Sequence, residues 1–369
     1  MRSSVVTTKV PHDFSELVAP TMLAPSNVFT ISDKEREFIR AELMRVRENP
    51  YGDYAAFREE LRGVAEGVLA ETQFGMFSGL IRQSRDNNST LHFLIRNLPV
   101  DTKVPILNQF ADLSPLEAKY RFKKTFIGEG VLELFSQLTN SPLLAYSTRN
   151  NGDFFHDVIA DRRYRGTQTQ KTDGELYPHN DRTAHPVRPD ILNLLAMRPT
   201  RGNMIITTYI DSRELLHRLS DETVKMLQQK RFVTPFDDLS KASNPNQRES
   251  EAHSILQFVG GDPSKPHFRF YSNRTTSLAG ETEKGVVDAI LELERAIRAT
   301  KIDRYNLDQG DLLSIPNVRG LHAREIIMVS NPVEQERRWL LKTYAFWDHE
   351  AQAAHAHTFA PSVPGRVVD

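Results

Sequence analysis

The sequence predicts a mainly β fold, an antiparallel sandwich or barrel flanked by helices, on three observations. From about residue 140 short apolar runs recur between glycine, proline and asparagine: PLLAYS, DILNLLAM, NMIITTYI, HFRFYS, DLLSIP and RWLLKTYAFW. That texture is the one strands bounded by turns produce. No regular helices separate the runs, which disfavours a parallel doubly wound sheet and favours antiparallel pairing. The first third, in contrast, repeats its apolar residues at helical spacing.

Taken in order, Ser32 with Glu35 forms a capping box, and Ile39, Leu43 and Val46 share one face of the helix it opens. Phe57, Leu61, Val64 and Val68 repeat the spacing, and Ser114-Pro115 with Glu117 marks a third start, serine capping and proline at the first helical position. These stripes are expected to be core. Residues 212–230 look helical, and the polar tract FDDLSKASNPNQRESEAHS follows. Its length without apolar periodicity predicts a mobile excursion, of the kind that often serves as a lid. Val286, Ile290, Leu293 and Ile297 predict a further helix. There is no internal repeat. The organisation expected is one enlarged domain: a helical N-terminal region over 1–139, a β core over 140–348 with an insertion at about 212–300, and a tail over 349–369.

Composition narrows the function. Forty-seven basic against 48 acidic side chains leave a formal charge of -1, so no global field recruits nucleic acid or a membrane surface. The absence of cysteine removes disulfides, thiolate metal sites and a thiol nucleophile, leaving any metal to histidine and carboxylate. The opening MRSSVVTTKVPHDF has no apolar signal core and no run of about 18 apolar residues occurs, so a cytoplasmic protein is expected. Nothing in the residues speaks to oligomeric state.

Within ELYPHNDRTAHPVRPD, His179 and Asp181 are one residue apart. On an extended strand their side chains share a face, about 6.6 Å apart along the chain, and both reach one ion. A distant second histidine would complete a 2-His-1-carboxylate triad, which leaves positions open on iron. His322, in GDLLSIPNVRGLHAR, follows a strand and a turn-like segment and is the candidate. Alone, a His-x-acid pattern is near chance with 12 histidines and about one residue in eight acidic.

The surroundings add specificity. HNDRTAHPVRPD leading into ILNLLAMRP, GDLLSIPN with His322 and Arg324 downstream, and Arg338-Trp339-Leu340 opening the last strand resemble the clavaminate synthase-like Fe(II)/2-oxoglutarate oxygenases of the TauD/clavaminate synthase superfamily, amino-acid hydroxylase type, over about residues 140–348. The resemblance implies a double-stranded β-helix, the jelly-roll or cupin-like core. It also implies an Fe(II)- and 2-oxoglutarate-dependent dioxygenase that uses O2 to hydroxylate an unactivated carbon of a free amino acid or derivative, releasing succinate and CO2. It makes His179, Asp181 and His322 the metal ligands and Arg338 the cosubstrate anchor, a role its planar fork suits. Arg337 would face the other way by strand alternation, whereas Leu340 and Lys342 share the face of Arg338.

By the same resemblance Thr207, with Thr208 as alternative, supplies a cosubstrate hydroxyl. Lys342, about 13 Å beyond Arg338 along the strand, would hold the substrate carboxylate, His156 its amino group, and Thr169 a nearby contact. Arginine hydroxylases of the group place paired acids in the stretch matching HFRFYSNR, where this chain has Tyr271, Ser272 and Asn273. A cationic substrate side chain would be buried unpaired there, so a neutral or differently held side chain is expected, with Tyr271 and Asn273 as contacts. Asp181 in place of the more common glutamate leaves the activity class intact, and a retained carboxylate argues against halogenation. Desaturation or cyclisation at the same iron, a non-catalytic metal-binding jelly roll, and a zinc hydrolase are the alternatives.

Overall fold

A computed structural model of the chain describes residues 27–368 except 90, 111, 201, 238–240, 242–247 and 280–282. The start of the chain and nine of the 19 residues of the polar tract lie outside the described residues. No helix among the described residues is long and apolar enough to cross a membrane.

In chain order the N-terminal part holds β1 (Val28–Thr30), α1 (Asp33–Leu43), α2 (Tyr54–Glu71), α3 (Gln73–Asp86), β2 (Phe93–Arg96), α4 (Pro115–Phe122) and α5 (Ile127–Leu138). The β core holds β3 (Leu143–Tyr146), β4 (His156–Ile159), β5 (Leu176–His179), β6 (Ile191–Arg198) and β7 (Asn203–Asp211). An excursion follows, with α6 (Ser212–Leu216), α7 (Asp221–Leu227), β8 (Phe232–Val233), β9 (Leu256–Phe258), β10 (Pro266–Phe268), β11 (Thr276–Ser277) and α8 (Lys284–Ala299). The chain returns through β12 (Asp303–Tyr305), β13 (Leu312–Pro316), β14 (Gly320–Val329), α9 (Pro332–Arg337) and β15 (Trp339–Ala345), and closes with α10 (His349–Ala354), β16 (Phe359–Ala360) and β17 (Val363–Val367).

Two sheets face each other. The larger runs β1-β2-β13-β6-β15-β3-β17-β16, with β4 also on β15, and the smaller runs β12-β7-β14-β5. Pairing is antiparallel except for β1 with β2 and β17 with β3. Period-two alternation on β6 shows how the layers form: Ile191, Leu195 and Met197 pack into the core shared with the helices, while Leu192, Leu194 and Ala196 face the inter-sheet core with Tyr209 and Tyr305. A strand buried on both faces reads as an unbroken apolar run, which is why DILNLLAM carried so clear a signal. Truncating such a side chain, as in Leu195→Ala, would cost about 2–5 kcal/mol.

The expected capping box of Ser32 with Glu35 forms, and at the expected third helix start Ser114 and Glu117 complete a second one. Ile39, Leu43, Phe57, Leu61 and Val68 are buried as read. The region before residue 140 is not purely helical, since β1 and β2 extend the large sheet through β13. The tail likewise supplies β17, with Val367 buried beside β3. Residues 212–230 form two short helices with a break after Leu216, where Ser220 caps the second. The excursion builds its own apolar core from Leu215, Leu227, Phe232, Phe268, Leu293 and their neighbours, joined to the sandwich by Ile210 and Leu321.

Candidate active site

The metal motif begins at the last residue of β5. His179 ends the strand, and the expectation that Asp181 sits on the same strand is corrected: the chain turns immediately, with Arg182 at φ 59°. Asn180 makes the turn possible. Its Nδ2 donates to the carbonyls of Asn317 (2.5 Å) and Gly320 (2.7 Å), and its Oδ1 accepts from Phe270 N (2.8 Å). Asn317 completes the fastening, its Oδ1 accepting from Asp181 N (2.7 Å) and its Nδ2 donating to the carbonyls of Asp181 (3.1 Å) and Pro189 (2.9 Å). These amides do for a loop what a ladder does for strands, satisfying buried backbone groups. Gly320 must lack a side chain, because a Cβ there would collide with the Tyr209 ring.

His322 lies on β14, directly opposite His179 in the β14/β5 register. The two rings are 4.2 Å apart between centroids. Asp181 Oδ1 stands 3.2 Å from His179 Nε2 and 3.6 Å from His322 Nε2, and the ligand atoms of the three residues lie within 4.8 Å of one another. His179 Nδ1 sits 2.7 Å from the Tyr177 carbonyl; donation there assigns the tautomer whose Nε2 keeps its lone pair for a metal. Burial and the neighbouring His179 hold His322 down to about 4, so the His322 ring is neutral.

The other carboxylate oxygen is taken. Asp181 Oδ2 accepts from Lys342 Nζ (2.9 Å) and Tyr344 OH (2.9 Å), two side chains that share one face of β15. Burial alone would push this carboxyl up, but Lys342 and the hydrogen bonds of the two histidines hold it well below the usual range. One oxygen faces the histidines and the other is clamped, a donor set that fits a facial triad on iron(II) with one monodentate carboxylate.

These groups line a cavity of about 350 Å³ between the sheets. Arg338, expected on the last strand, is the residue joining α9 to β15; its side chain enters the cavity as read, and Arg337 is not on the cavity wall. The Arg338 guanidinium is buried, and among the described residues no carboxylate pairs with it. Burial, then the nearby Arg324, bring it down to about 9. Arg324 itself is anchored on the carbonyls of Gly174 (2.9 Å) and Thr172 (2.7 Å). Thr207 stands opposite Arg324 in the β14/β7 register and lines the cavity, whereas Thr208 does not. A buried cation without a counter-charge beside a metal donor set is an anion seat, and it fits the distal carboxylate of 2-oxoglutarate.

The expected substrate contacts divide. His156, Thr169 and Tyr271 line the cavity. His156 is kept neutral by burial and by Lys342, its Nε2 on the Asp153 carbonyl (2.8 Å). Tyr271 stacks on His179 at 4.6 Å. Asn273 is a correction: it occupies an exposed turn at φ 65°, and Arg274 lines the cavity in its place. Lys342 also departs from expectation. An ammonium has three donors, and Gln170, Asp181 and Tyr344 accept all three, leaving none for a substrate carboxylate. Sequence reasoning missed Asn180, Asn317, Tyr344 and Gln170. The first two carried a signal, buried asparagines flanking the ligands, but Tyr344 and Gln170 matter only through contacts made in space.

A β sandwich with an open 2-His-1-carboxylate triad defines the jelly-roll metalloproteins of cupin type. Within that class the chain belongs to the taurine catabolism dioxygenase TauD, TfdA family, whose model matches residues 122–344. It is 25% identical over 212 residues to the enduracididine beta-hydroxylase of Streptomyces hygroscopicus, covering 52% of this chain and 60% of that protein. It is also 25% identical over 189 residues to the L-lysine 3-hydroxylase of Catenulispora acidiphila, half of each chain. The chain thus spans between half and three fifths of these relatives. The L-asparagine oxygenase of Streptomyces coelicolor is 26% identical over 270 residues, 72% of this chain and 73% of that one. A solved asparagine oxygenase bound to Fe(II), 3-hydroxyasparagine and succinate superposes with a TM-score of 0.73 at 20% identity, covering 93% of this chain and 99% of that one. The non-heme iron oxygenase OrfP with Fe and alpha-ketoglutaric acid gives 0.68 at 19%, covering 92% and 99%. At those identities the superpositions establish the fold.

Proposed function

We propose that the protein is an Fe(II)/2-oxoglutarate-dependent dioxygenase that hydroxylates an unactivated carbon of a free amino acid or amino-acid derivative. One observation carries the reading: an open triad and an uncompensated buried guanidinium share a single cavity. Relatives named as hydroxylases of enduracididine, lysine and asparagine support it.

In this reading His179, Asp181 and His322 hold iron(II), and Arg338 with Thr207 fixes the cosubstrate. When bound, the metal and 2-oxoglutarate supply the oxidation by O2, with succinate and CO2 released. The protein's own work is placement. Lys342 and Tyr344 restrain Asp181 so that one oxygen is offered to the metal, and Asn180 and Asn317 fix the loop that presents it. Leu192, Leu194, Val158 and Leu340 give the cavity an apolar wall that excludes water from the reacting carbon. Thr234, Pro235 and Phe236, from the excursion after β7, line the same cavity. With Tyr271 they support a covering role for that segment.

Succinate formation with iron, ascorbate, 2-oxoglutarate and an amino-acid panel tests the proposal, with His179→Ala as the blank. Substrate-dependent succinate and a product gain of one oxygen are expected. Absence of both, together with no 2-oxoglutarate binding, would refute it.

A further inference from the structure

We propose that Lys171 seats the α-carboxylate of the amino-acid substrate, the role that the family resemblance would give Lys342; this rests on the oxygenase reading above. Two lysines line the cavity, and their ammonium groups are differently engaged. The three donors of Lys342 are spent on Gln170, Asp181 and Tyr344. Lys171 Nζ has no hydrogen-bond acceptor and no paired carboxylate among the described residues, and it rests over the Tyr164 ring, 5.3 Å from the centroid. An aromatic face orients an ammonium while its N–H groups stay available to oxygen acceptors. The acid that acts most on Lys171, Asp161, is itself gripped by Arg163 through Nε (3.0 Å) and Nη2 (2.7 Å). Burial therefore outweighs the neighbours and brings Lys171 down from the usual lysine range. A half-buried ammonium in that setting gains charge-assisted hydrogen bonds from an arriving carboxylate.

The backbone holds Lys171 ready. Its carbonyl accepts from Asp161 N (2.8 Å). Gln170 before it accepts from Lys342, and the Thr172 carbonyl after it accepts from Arg324 Nη2 (2.7 Å). The loop is thus fastened on one side to the clamp on Asp181 and on the other to the arginine beside Arg338. A seat tied to both ends keeps a bound amino acid in register with the metal and the cosubstrate, and little ordering remains to be done on binding.

The probes are the twenty common L-amino acids and the α-carboxamide of each one that binds. Binding is read by calorimetry on protein saturated with manganese(II) and 2-oxoglutarate, and turnover by succinate formation with iron. The wild-type protein should bind the carboxylate form about tenfold or more tightly than its α-carboxamide. Lys171→Met should weaken the carboxylate form by about tenfold or more and erase that difference, raising KM far more than it lowers kcat. Lys171→Arg should restore most of the difference, and Lys342→Met should keep it. Unchanged 2-oxoglutarate affinity in the Lys171 variants is the control for folding. A carboxylate preference that survives in Lys171→Met, or that is lost in Lys342→Met alone, would place the group on another cation and overturn the assignment. Binding of 2-oxoglutarate without binding of any amino acid would overturn it as well, whereas failure of the wild-type protein to bind 2-oxoglutarate would remove the oxygenase reading itself.

Discussion

Two buried ionic clusters show opposite designs. Beneath α5, Lys123 Nζ donates to Asp101 (2.7 Å), Glu129 (2.7 Å) and the Thr125 carbonyl (2.7 Å). Asp101 in turn accepts from Thr125, from Ile127 N (3.3 Å) and from Gly128 N (3.2 Å), capping a helix whose own N-cap position holds Phe126. Burial alone would bring Lys123 down, yet the two carboxylates raise it. Every charge there is answered. In the cavity, Arg338 and Arg324 lie near each other, and among the described residues no carboxylate pairs with Arg338 while Asp173 only partly offsets Arg324; burial pulls both down, to about 9 and about 10. A cluster that closes on itself supports the fold, whereas one that leaves charge unanswered is prepared for a ligand.

Substitutions should separate the two designs. The largest effect on folding is expected from Asp101→Ala, which strands Lys123 and uncaps α5: a loss of about 3–5 kcal/mol in chemical denaturation. Next, Arg338→Met should raise the KM for 2-oxoglutarate by about a hundredfold while thermal unfolding stays level or rises, since removing an unanswered buried charge relieves desolvation. A fall in stability equal to that of Asp101→Ala would erase the distinction. Lys342→Met stands between them, because it frees Asp181 Oδ2: a drop of about 10- to 100-fold in iron or cobalt affinity is expected by metal titration, with a changed cobalt(II) visible spectrum. Unchanged metal affinity would return Lys342 to the substrate.

The smallest effect concerns histidines outside both clusters. Burial holds His253 to about 4 and His267 to about 3, with Arg269 and Arg319 respectively the next causes. An unfolded histidine takes its proton near 6.5, so between that pH and the folded values the unfolded state binds more protons and stability falls as the pH falls. His267→Gln should flatten this slope, leaving the variant a few degrees higher in relative Tm near about pH 4.5. Parallel curves for the two proteins would show that His267 does not titrate in this way.

The sequence made legible what repeats along the chain. Strands buried on both faces, amphipathic helices and capping boxes all express local rules, and they occur where the periods place them. β14, which carries His322, did not show itself. Its LHAREIIMV run interleaves Arg324 and Glu325 with apolar residues because one face meets the cavity and the other faces solvent, where Ile327 and Met328 are exposed. β1 and β2 were hidden because parallel and edge pairings leave only three or four residues of pattern. At the site, His179, Asp181, His322, Arg338 and Thr207 all reach the cavity. Lys342 was placed on the correct face, but its partners Gln170 and Asp181 lie 172 and 161 residues away, a separation that no spacing rule reads. Asn273 failed for the opposite reason, since a left-handed turn redirected a side chain that strand alternation would have pointed inward.

The pair between Arg149 and Asp237 joins the loop after β3 to the excursion across the cavity, and both side chains keep some solvent access. Such a contact is screened by salt while the buried arginines are screened much less. Ionic strength should therefore act on traffic through the cavity more than on what is held inside it. Added salt would loosen the tie and speed exchange, and would at the same time weaken the long-range pull on an anionic visitor. Association and dissociation rates measured across a salt series would then respond in opposite senses.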